Sequence, residues 1–302
     1  MSSLIFPTSL QQGDQVLIIS PAGKIDRRLL SGLKNRLQEW GLKPIVAKHA
    51  RAKSESFAGT IKQRLADLQY GLDNTKIKAI FCSRGGYGTI QLTEQLDLTG
   101  FKNHPKWIVG YSDITVLHSL LQAKGYASIH APMARHFTLA PKEDLALALL
   151  KKTLMREPIH YTFKAHKYNH KESSKGILRG GNLTVLQGLK GTAYDFNPTN
   201  TILYLEDVNE SPNTIQRMFY NLKLSGVLEQ LSGLILGQFT DTLENKNISD
   251  EVYKKIQPLL KSYTYPICYN FPIGHLSQNY PLINGAEAHL ITNKHTSELK
   301  FG

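Results

Sequence analysis

The chain has 302 residues, of which 41% are hydrophobic and 20% charged, which suits about two globular domains of roughly 150 residues each and excludes a disordered chain. Two cysteines exclude a disulfide-stapled scaffold, and no apolar run approaches the ~20 residues a membrane span needs, so no membrane partner is expected. The 36 Lys+Arg against 24 Asp+Glu, a net charge of +12, leave nucleic acid as the partner class to be weighed.

The first segment, MSSLIFPTSLQQGDQVLIIS, lacks a basic region ahead of its apolar stretch, so no signal peptide and a cytoplasmic location are expected. Gln15–Ser20 is a short apolar run that ends at Pro21-Ala22-Gly23, as a buried strand running into a turn does. Leu29, Leu33, Leu37 and Trp40 recur at helical spacing, and Gly41 is a natural stop. Ile45–Ala47 reads as a second strand, Ile61 to Leu72 as a second amphipathic helix, and Ile77–Cys82 as a third strand. That strand enters Ser83-Arg84-Gly85-Gly86-Tyr87-Gly88, a turn expected to lead into a helix. Trp107–Val109 is a strand and Thr115–Ala123 a helix. Strands alternating with helices imply a parallel α/β sheet, which binds ligands at the carboxyl ends of its strands.

Next in the chain lies half of the charge excess. Residues 1–150 carry +8, residues 151–180 carry +6, and residues 181–302 carry −2. Half of the excess falls in KKTLMREPIHYTFKAHKYNHKESSKGILRG, which also holds His160, His166 and His170. It has little helical period, contains one strand-like run at Ile159–Phe163, and reads as a solvated interdomain connection. With no zinc-finger spacing, no long basic helix and no RNP-like aromatics, nucleic acid is not an expected partner. Thr201–Leu205 is then a strand ending at Glu206-Asp207, Ile215 to Leu222 a helical stripe, Leu234–Gly237 a strand, and Val252–Leu260 a helix. Ala288–Thr292 and Glu298–Phe301 make a β-rich ending. The expected division is an α/β nucleophile domain over 1–150, a basic linker over 151–178, and a β-rich domain over 179–302.

The sharpest chemical pattern is Trp107-Ile-Val-Gly-Tyr-Ser112-Asp-Ile-Thr-Val-Leu-His118. A strand that turns through Gly-x-Ser directly into a helix lifts the hydroxyl above the sheet edge and offers the next N–H, Asp113, to an oxyanion. Ile114 stands where the G-x-S-x-G motif has its second glycine, and Ser112 reads equally as a helix N-cap. A serine nucleophile needs a base, and the base an orienting carboxylate. Glu206 ends a buried strand, with Asp207 and Glu210 as competitors, and His275 sits in the Pro- and Gly-held loop Pro272-Ile-Gly-His. Each also has a plain reading, a strand-end ion pair for the acid and an exposed loop residue for the histidine. Consecutive glycines at 85 and 86 free backbone N–H groups for an anion, or simply permit a tight turn. Cys82 and Cys268 are far apart, and His130 and His136 lack zinc spacing, so no metal is expected. A thiol inside a strand is also a poor nucleophile.

These blocks together resemble the LD-carboxypeptidases, the serine peptidase family S66, which includes muramoyltetrapeptide carboxypeptidase and the microcin-immunity peptidases. The resemblance runs in order through Ser20–Gly23, Arg84–Gly88, Gly110–Thr115, Gly180–Leu183, Leu205–Val208 and Pro272–His275. It implies Ser112 as nucleophile, His275 as general base and Glu206 as its partner, with an oxyanion hole from the N–H groups of Asp113 and Gly86, Gly85 standing second. It implies an N-terminal Rossmann-like parallel α/β domain and a β-rich C-terminal domain, a homodimer, and no cofactor. The implied substrate is a murein tetrapeptide or related muropeptide, which loses its terminal D-Ala during cell-wall peptide recycling. Arg84 is a candidate anchor for the substrate carboxylate by charge. Ala131 stands where the family often has Gly. Within the family the rival substrate is an aminoacyl-nucleotide conjugate of the microcin type; outside it, the rival is a basic nucleic-acid-binding module.

Overall fold

A computed structural model of the chain describes residues 4–170, 172–242 and 246–301. The first three residues of the N-terminal segment read above, and Lys171 of the basic stretch, lie outside the described residues. The chain divides into two compact units, one running to Glu157 and taking in Tyr280–Ile283, the other spanning Pro158–Asn279 and continuing from Asn284.

The first unit opens with β1 (Gln15–Ile19), α1 (Arg27–Glu39), β2 (Lys43–Val46), α2 (Ile61–Asp73) and β3 (Ile77–Cys82). It continues with α3 (Thr99–Asn103), β4 (Trp107–Gly110), α4 (Thr115–Ala123), β5 (Ser128–His130), α5 (Ala134–Leu139) and α6 (Leu145–Leu154). Local signals account for the helices. The Asp26 carboxylate accepts the Arg28 N–H at the start of α1, whose Leu30, Leu33 and Leu37 are buried. Thr60 and Gln63 close a reciprocal capping box on α2.

In the second unit come β6 (His160–Lys164), β7 (Ser173–Asn182), α7 (Leu183–Leu189), β8 (Thr201–Val208), α8 (Pro212–Leu224), β9 (Leu231–Asp241), β10 (Lys246–Asn247), α9 (Ser249–Leu260) and β11 (Ile267–Tyr269). The chain ends with β12 (Leu282–Asn284), β13 (Glu287–Thr292) and β14 (Thr296–Phe301).

The first sheet has the order β12-β5-β4-β3-β1-β2, with β2, β1, β3, β4 and β5 paired in parallel. Its central strands are buried runs such as Val16–Ile19, as a sheet covered on both faces requires. Parallel order places the loops after β1, β3 and β4 at the same sheet edge, side by side. Those loops carry Ser20–Gly23, Ser83–Gly88 and Tyr111–Asp113.

The second sheet, β10-β9-β8-β7-β13-β14-β6 with β11 on β9, is mixed. β7, β8, β9 and β11 run parallel, while β13, β14 and β6 continue antiparallel. The chain is therefore mixed α/β, a parallel-sheet N-terminal part with a β-rich C-terminal part.

Two local expectations become more specific. The turn after β3 leads into a 3-10 helix, Thr89–Gln95, not an α-helix. Its first N–H, that of Thr89, is committed to the Asp113 carboxylate. The basic stretch is also more than a connection, since it supplies β6 and the start of β7. In β6 the exposed His160, Thr162 and Lys164 alternate with buried Tyr161 and half-buried Phe163, so the charge lies on one face of a strand paired with β14.

Candidate active site

On the first unit, β4 ends at Gly110, Tyr111 is extended, and Ser112 turns the chain at φ 63° into a 3-10 turn that becomes α4. A left-handed serine is strained by about 1 kcal/mol or more, and such strain persists only where surrounding structure holds it. The holding groups are visible. The Gly110 carbonyl accepts the Ala131 N–H at 3.0 Å and His118 Nε2 at 2.9 Å. A carbonyl only accepts, so His118 carries its proton on Nε2, and its Nδ1 takes the hydroxyl of Ser128 at 2.9 Å. Burial holds the His118 pKa down to about 3, so it stays a neutral clamp.

The Gly-rich turn lies against Ser112. A Cβ placed on Gly85 would stand 2.9 Å from both Cβ and Oγ of Ser112, and 3.2 Å from the Asp113 nitrogen. The Gly85 carbonyl accepts the Gly23 N–H at 3.0 Å. In a trans peptide the N–H points opposite to the carbonyl, so Gly86 N–H faces away from Gly23. Gly86 itself has φ 107°, which only glycine takes freely. Replacing Gly85→Ala should therefore cost activity about 10²-fold, because the methyl displaces Ser112 or the turn. Phosphonate inactivation rates would measure it, and a wild-type rate would show that the turn is not seated against the serine.

The buried Asp113 carboxylate faces inward, accepting the Thr89 N–H at 2.9 Å and the Thr89 hydroxyl at 2.7 Å. Burial raises its pKa, against the Thr89 bonds and the Arg64 charge. Arg64, also buried, donates to the carbonyls of Gly88 (2.8 Å) and Pro21 (2.9 Å) and to Gln91 Oε1 (2.6 Å). Arg84 is exposed, and its Nη1 donates to the Lys24 carbonyl. Burial pushes the Cys82 thiol far up, away from nucleophilic use.

On the second unit, His275 Nδ1 lies 2.9 Å from Glu206 Oε2, with the glutamate side chain 0% exposed and the histidine 17%. A carboxylate accepts, so Nδ1 carries the proton of a neutral ring, and Nε2 keeps its lone pair. The histidine loop is pinned to β9, where Gln238 N–H donates to the Ile273 carbonyl at 2.8 Å, and braced within itself, where Gly274 N–H donates to Asn279 Oδ1 at 3.1 Å. Gly274, at φ 127°, lies where a Cβ would meet the Gln238 carbonyl at 3.0 Å.

Strand alternation separates the competing acids. Asp207, with Leu203 and Leu205, faces the core on one side of β8, and Glu206, with Tyr204, faces the other. Asp207 is engaged by Asn182 Nδ2 (3.0 Å), the Thr184 N–H (2.9 Å) and the Thr184 hydroxyl (2.8 Å). It thereby secures the N-terminus of α7. Burial, with Glu206 adding to it, lifts its pKa to about 6. Among the described residues, no three His, Cys, Asp or Glu gather as a metal site, and no helix is long and apolar enough to cross a membrane.

The structure thus brings Ser112, Asp113, Gly85 and Gly86 together on one unit and joins Glu206 to His275 on the other. Thr89, Arg64, His118 and the Asp207 network were not legible in the sequence. Each works through contacts with residues distant along the chain, and no spacing rule marks them.

Comparison with known proteins shows the family. Residues 16–131 match the LD-carboxypeptidase N-terminal domain, and residues 175–290 the LD-carboxypeptidase C-terminal domain. The chain belongs to the LD-carboxypeptidase family, peptidase family S66, and is a serine carboxypeptidase. It is similar to the murein tetrapeptide carboxypeptidase of Pseudomonas aeruginosa, at 32% identity over 93% of this chain and 94% of that one. The crystal structure of muramoyltetrapeptide carboxypeptidase from Oxalobacter formigenes superposes with a TM-score of 0.85, at 26% identity over 95% and 98% of the two chains. The microcin C7 self-immunity protein MccF, solved with aspartyl sulfamoyl adenosine, shares the fold with a TM-score of 0.85 at 24% identity, over 99% and 98%.

Proposed function

We propose that this protein hydrolyses the bond between the L-centre of a diamino acid and the terminal D-Ala of murein tetrapeptides, in cell-wall peptide recycling. Ser112 is the nucleophile, His275 the general base and Glu206 its orienting carboxylate. The Ser112 hydroxyl attacks the amide carbon while its proton passes to His275 Nε2. The tetrahedral oxyanion is stabilised by the N–H groups of Asp113 and Gly86, with Gly85 the alternative to Gly86, each worth about 3–4 kcal/mol. His275 returns the proton to the D-Ala amine as the C–N bond breaks, and water then hydrolyses the ester on Ser112. The exposed Arg84 guanidinium is suited to the free carboxylate of the leaving residue.

The observation that carries this reading is the strained left-handed Ser112 at the strand-to-helix turn, with Gly85 pressed against its side chain. An N-cap serine has extended backbone and bonds a helix N–H through its oxygen. Ser112 does not fit that description: its backbone is left-handed, and it is the first residue within the 3-10 turn, whose N-cap position is Tyr111. Identity to a murein tetrapeptide carboxypeptidase, at 32%, favours that substrate over an aminoacyl-nucleotide conjugate, because the likeness to MccF lies in the fold the enzymes share. The test pairs two measurements on the intact protein. A serine-directed fluorophosphonate should label Ser112 and no other serine by mass spectrometry. D-Ala release from a murein tetrapeptide should exceed turnover of an aspartyl sulfamoyl nucleoside at least tenfold. Label elsewhere overturns the nucleophile, and the reverse ranking overturns the substrate.

A further inference from the structure

An oxyanion hole works only if its donors sit about 2.7–3.1 Å from one oxygen position. Here the two donors come from separate loops, after β3 and after β4, so something must fix their spacing. The Gly-rich turn is held at its start, where Gly23 N–H meets the Gly85 carbonyl at 3.0 Å. It is held at its end by Arg64, which takes the Gly88 carbonyl at 2.8 Å. Neither bond reaches the serine turn. The link that does is the Asp113 carboxylate, whose Oδ2 accepts the N–H and the hydroxyl of Thr89, the residue following Gly88. Both residues are buried, Asp113 at 4% exposure and Thr89 at 0%. The main-chain nitrogen of Asp113 is itself one of the donors. One residue thus offers its backbone to the oxyanion and uses its side chain to fasten the loop that bears the other donor.

We propose that Asp113, through its side chain, and Thr89 are positioning residues that set the distance between the Asp113 and Gly86 N–H groups. The inference rests on the reading of those two groups as the oxyanion hole. Neither the Asp113 carboxylate nor the Thr89 hydroxyl touches substrate. Loosening the link moves the Gly-rich turn relative to Ser112, which weakens stabilisation of the tetrahedral state and leaves ground-state binding alone. The cost therefore falls on kcat.

The test uses the full-length protein, with Thr89→Val, Thr89→Ser and Asp113→Asn beside wild type and Ser112→Ala. Thr89→Val keeps the shape and loses one bond; its kcat should fall about 10- to 100-fold, with KM within about twofold. Phosphonate inactivation, which builds the same oxyanion, should slow in proportion. Thr89→Ser, which keeps the hydroxyl, should return to within about threefold of wild type. Asp113→Asn keeps an acceptor but loses the charge, and should lie between the two. Wild-type kcat in Thr89→Val overturns the proposal, as does a loss that Thr89→Ser fails to rescue or that appears as a raised KM. If Ser112→Ala stays active, the nucleophile reading itself is wrong; if it is inactive and Thr89→Val is not impaired, only the positioning role fails.

Discussion

Ser112→Ala should lower the rate of D-Ala release about 10⁵- to 10⁶-fold while the protein stays folded. Removing the nucleophile of a triad costs about as much as removing the triad, because its members act as one unit. What survives is the contribution of binding and of the N–H donors, about 10³- to 10⁴-fold over water. The same site carries a signature in stability. Ser112 holds φ 63°, a region alanine enters no more easily than serine and glycine enters freely. Ser112→Gly should therefore be as inactive as Ser112→Ala yet more stable than it, by about 1 kcal/mol. Thermal melting of the two variants reads that difference. Activity within tenfold of wild type in either variant would sink the nucleophile, and equal melting temperatures would sink the strain.

The second large effect belongs to Glu206. Its carboxylate accepts the Nδ1 proton of His275 at 2.9 Å, which leaves Nε2 as the basic nitrogen. Glu206→Gln conserves size but can offer an amide N–H to Nδ1. The ring then carries its proton on Nε2, where it cannot accept from a serine. A loss of about 10⁴ in kcat is expected, with KM little changed. Because the glutamate side chain is wholly buried, the geometry should survive the exchange. Nitrogen chemical shifts of the His275 ring would report the tautomer directly, independently of turnover. A Glu206→Gln enzyme with more than a tenth of wild-type kcat would transfer the orienting role to another group. Glu206→Gln combined with Ser112→Ala should be no worse than Ser112→Ala alone.

Much of this was legible in the sequence because it is written locally. The buried runs at Gln15–Ile19 and Ile77–Cys82, the leucine spacing of α1, and the Gly-Tyr-Ser turn all reflect short-range constraints, and the structure shows each of them. What could not be read was decided by partners far along the chain. The strand-like run at Ile159–Phe163 could be read, but its partner could not: β14 pairs with His160–Lys164 from residues 296–300. Tyr280–Ile283 returns to the first unit although the residues on either side belong to the second. The choice between Glu206 and Asp207 turned on which face of β8 each side chain took, and composition says nothing about that.

The pair of acids in β8 gives the sheet register a chemical meaning. Leu203, Leu205 and Asp207 share one face, and Tyr204 and Glu206 the other. Shifting the strand by one residue would exchange the two sets. A carboxylate one methylene shorter would be offered to His275, and the longer one would meet the amide of Thr184. The leucines oppose such a slip because both faces of β8 are buried, and it would force them into space shaped for Tyr204 and Glu206. Glycine does so as well, since a Cβ at Gly180 would fall on the Tyr204 carbonyl in the present alignment, which fixes how closely β7 and β8 approach. Apolar packing on one side of the strand thus selects which acid the histidine meets on the other. A single-residue insertion inside Thr201–Leu205 would thus change which acid meets the histidine without altering any of the proposed catalytic residues.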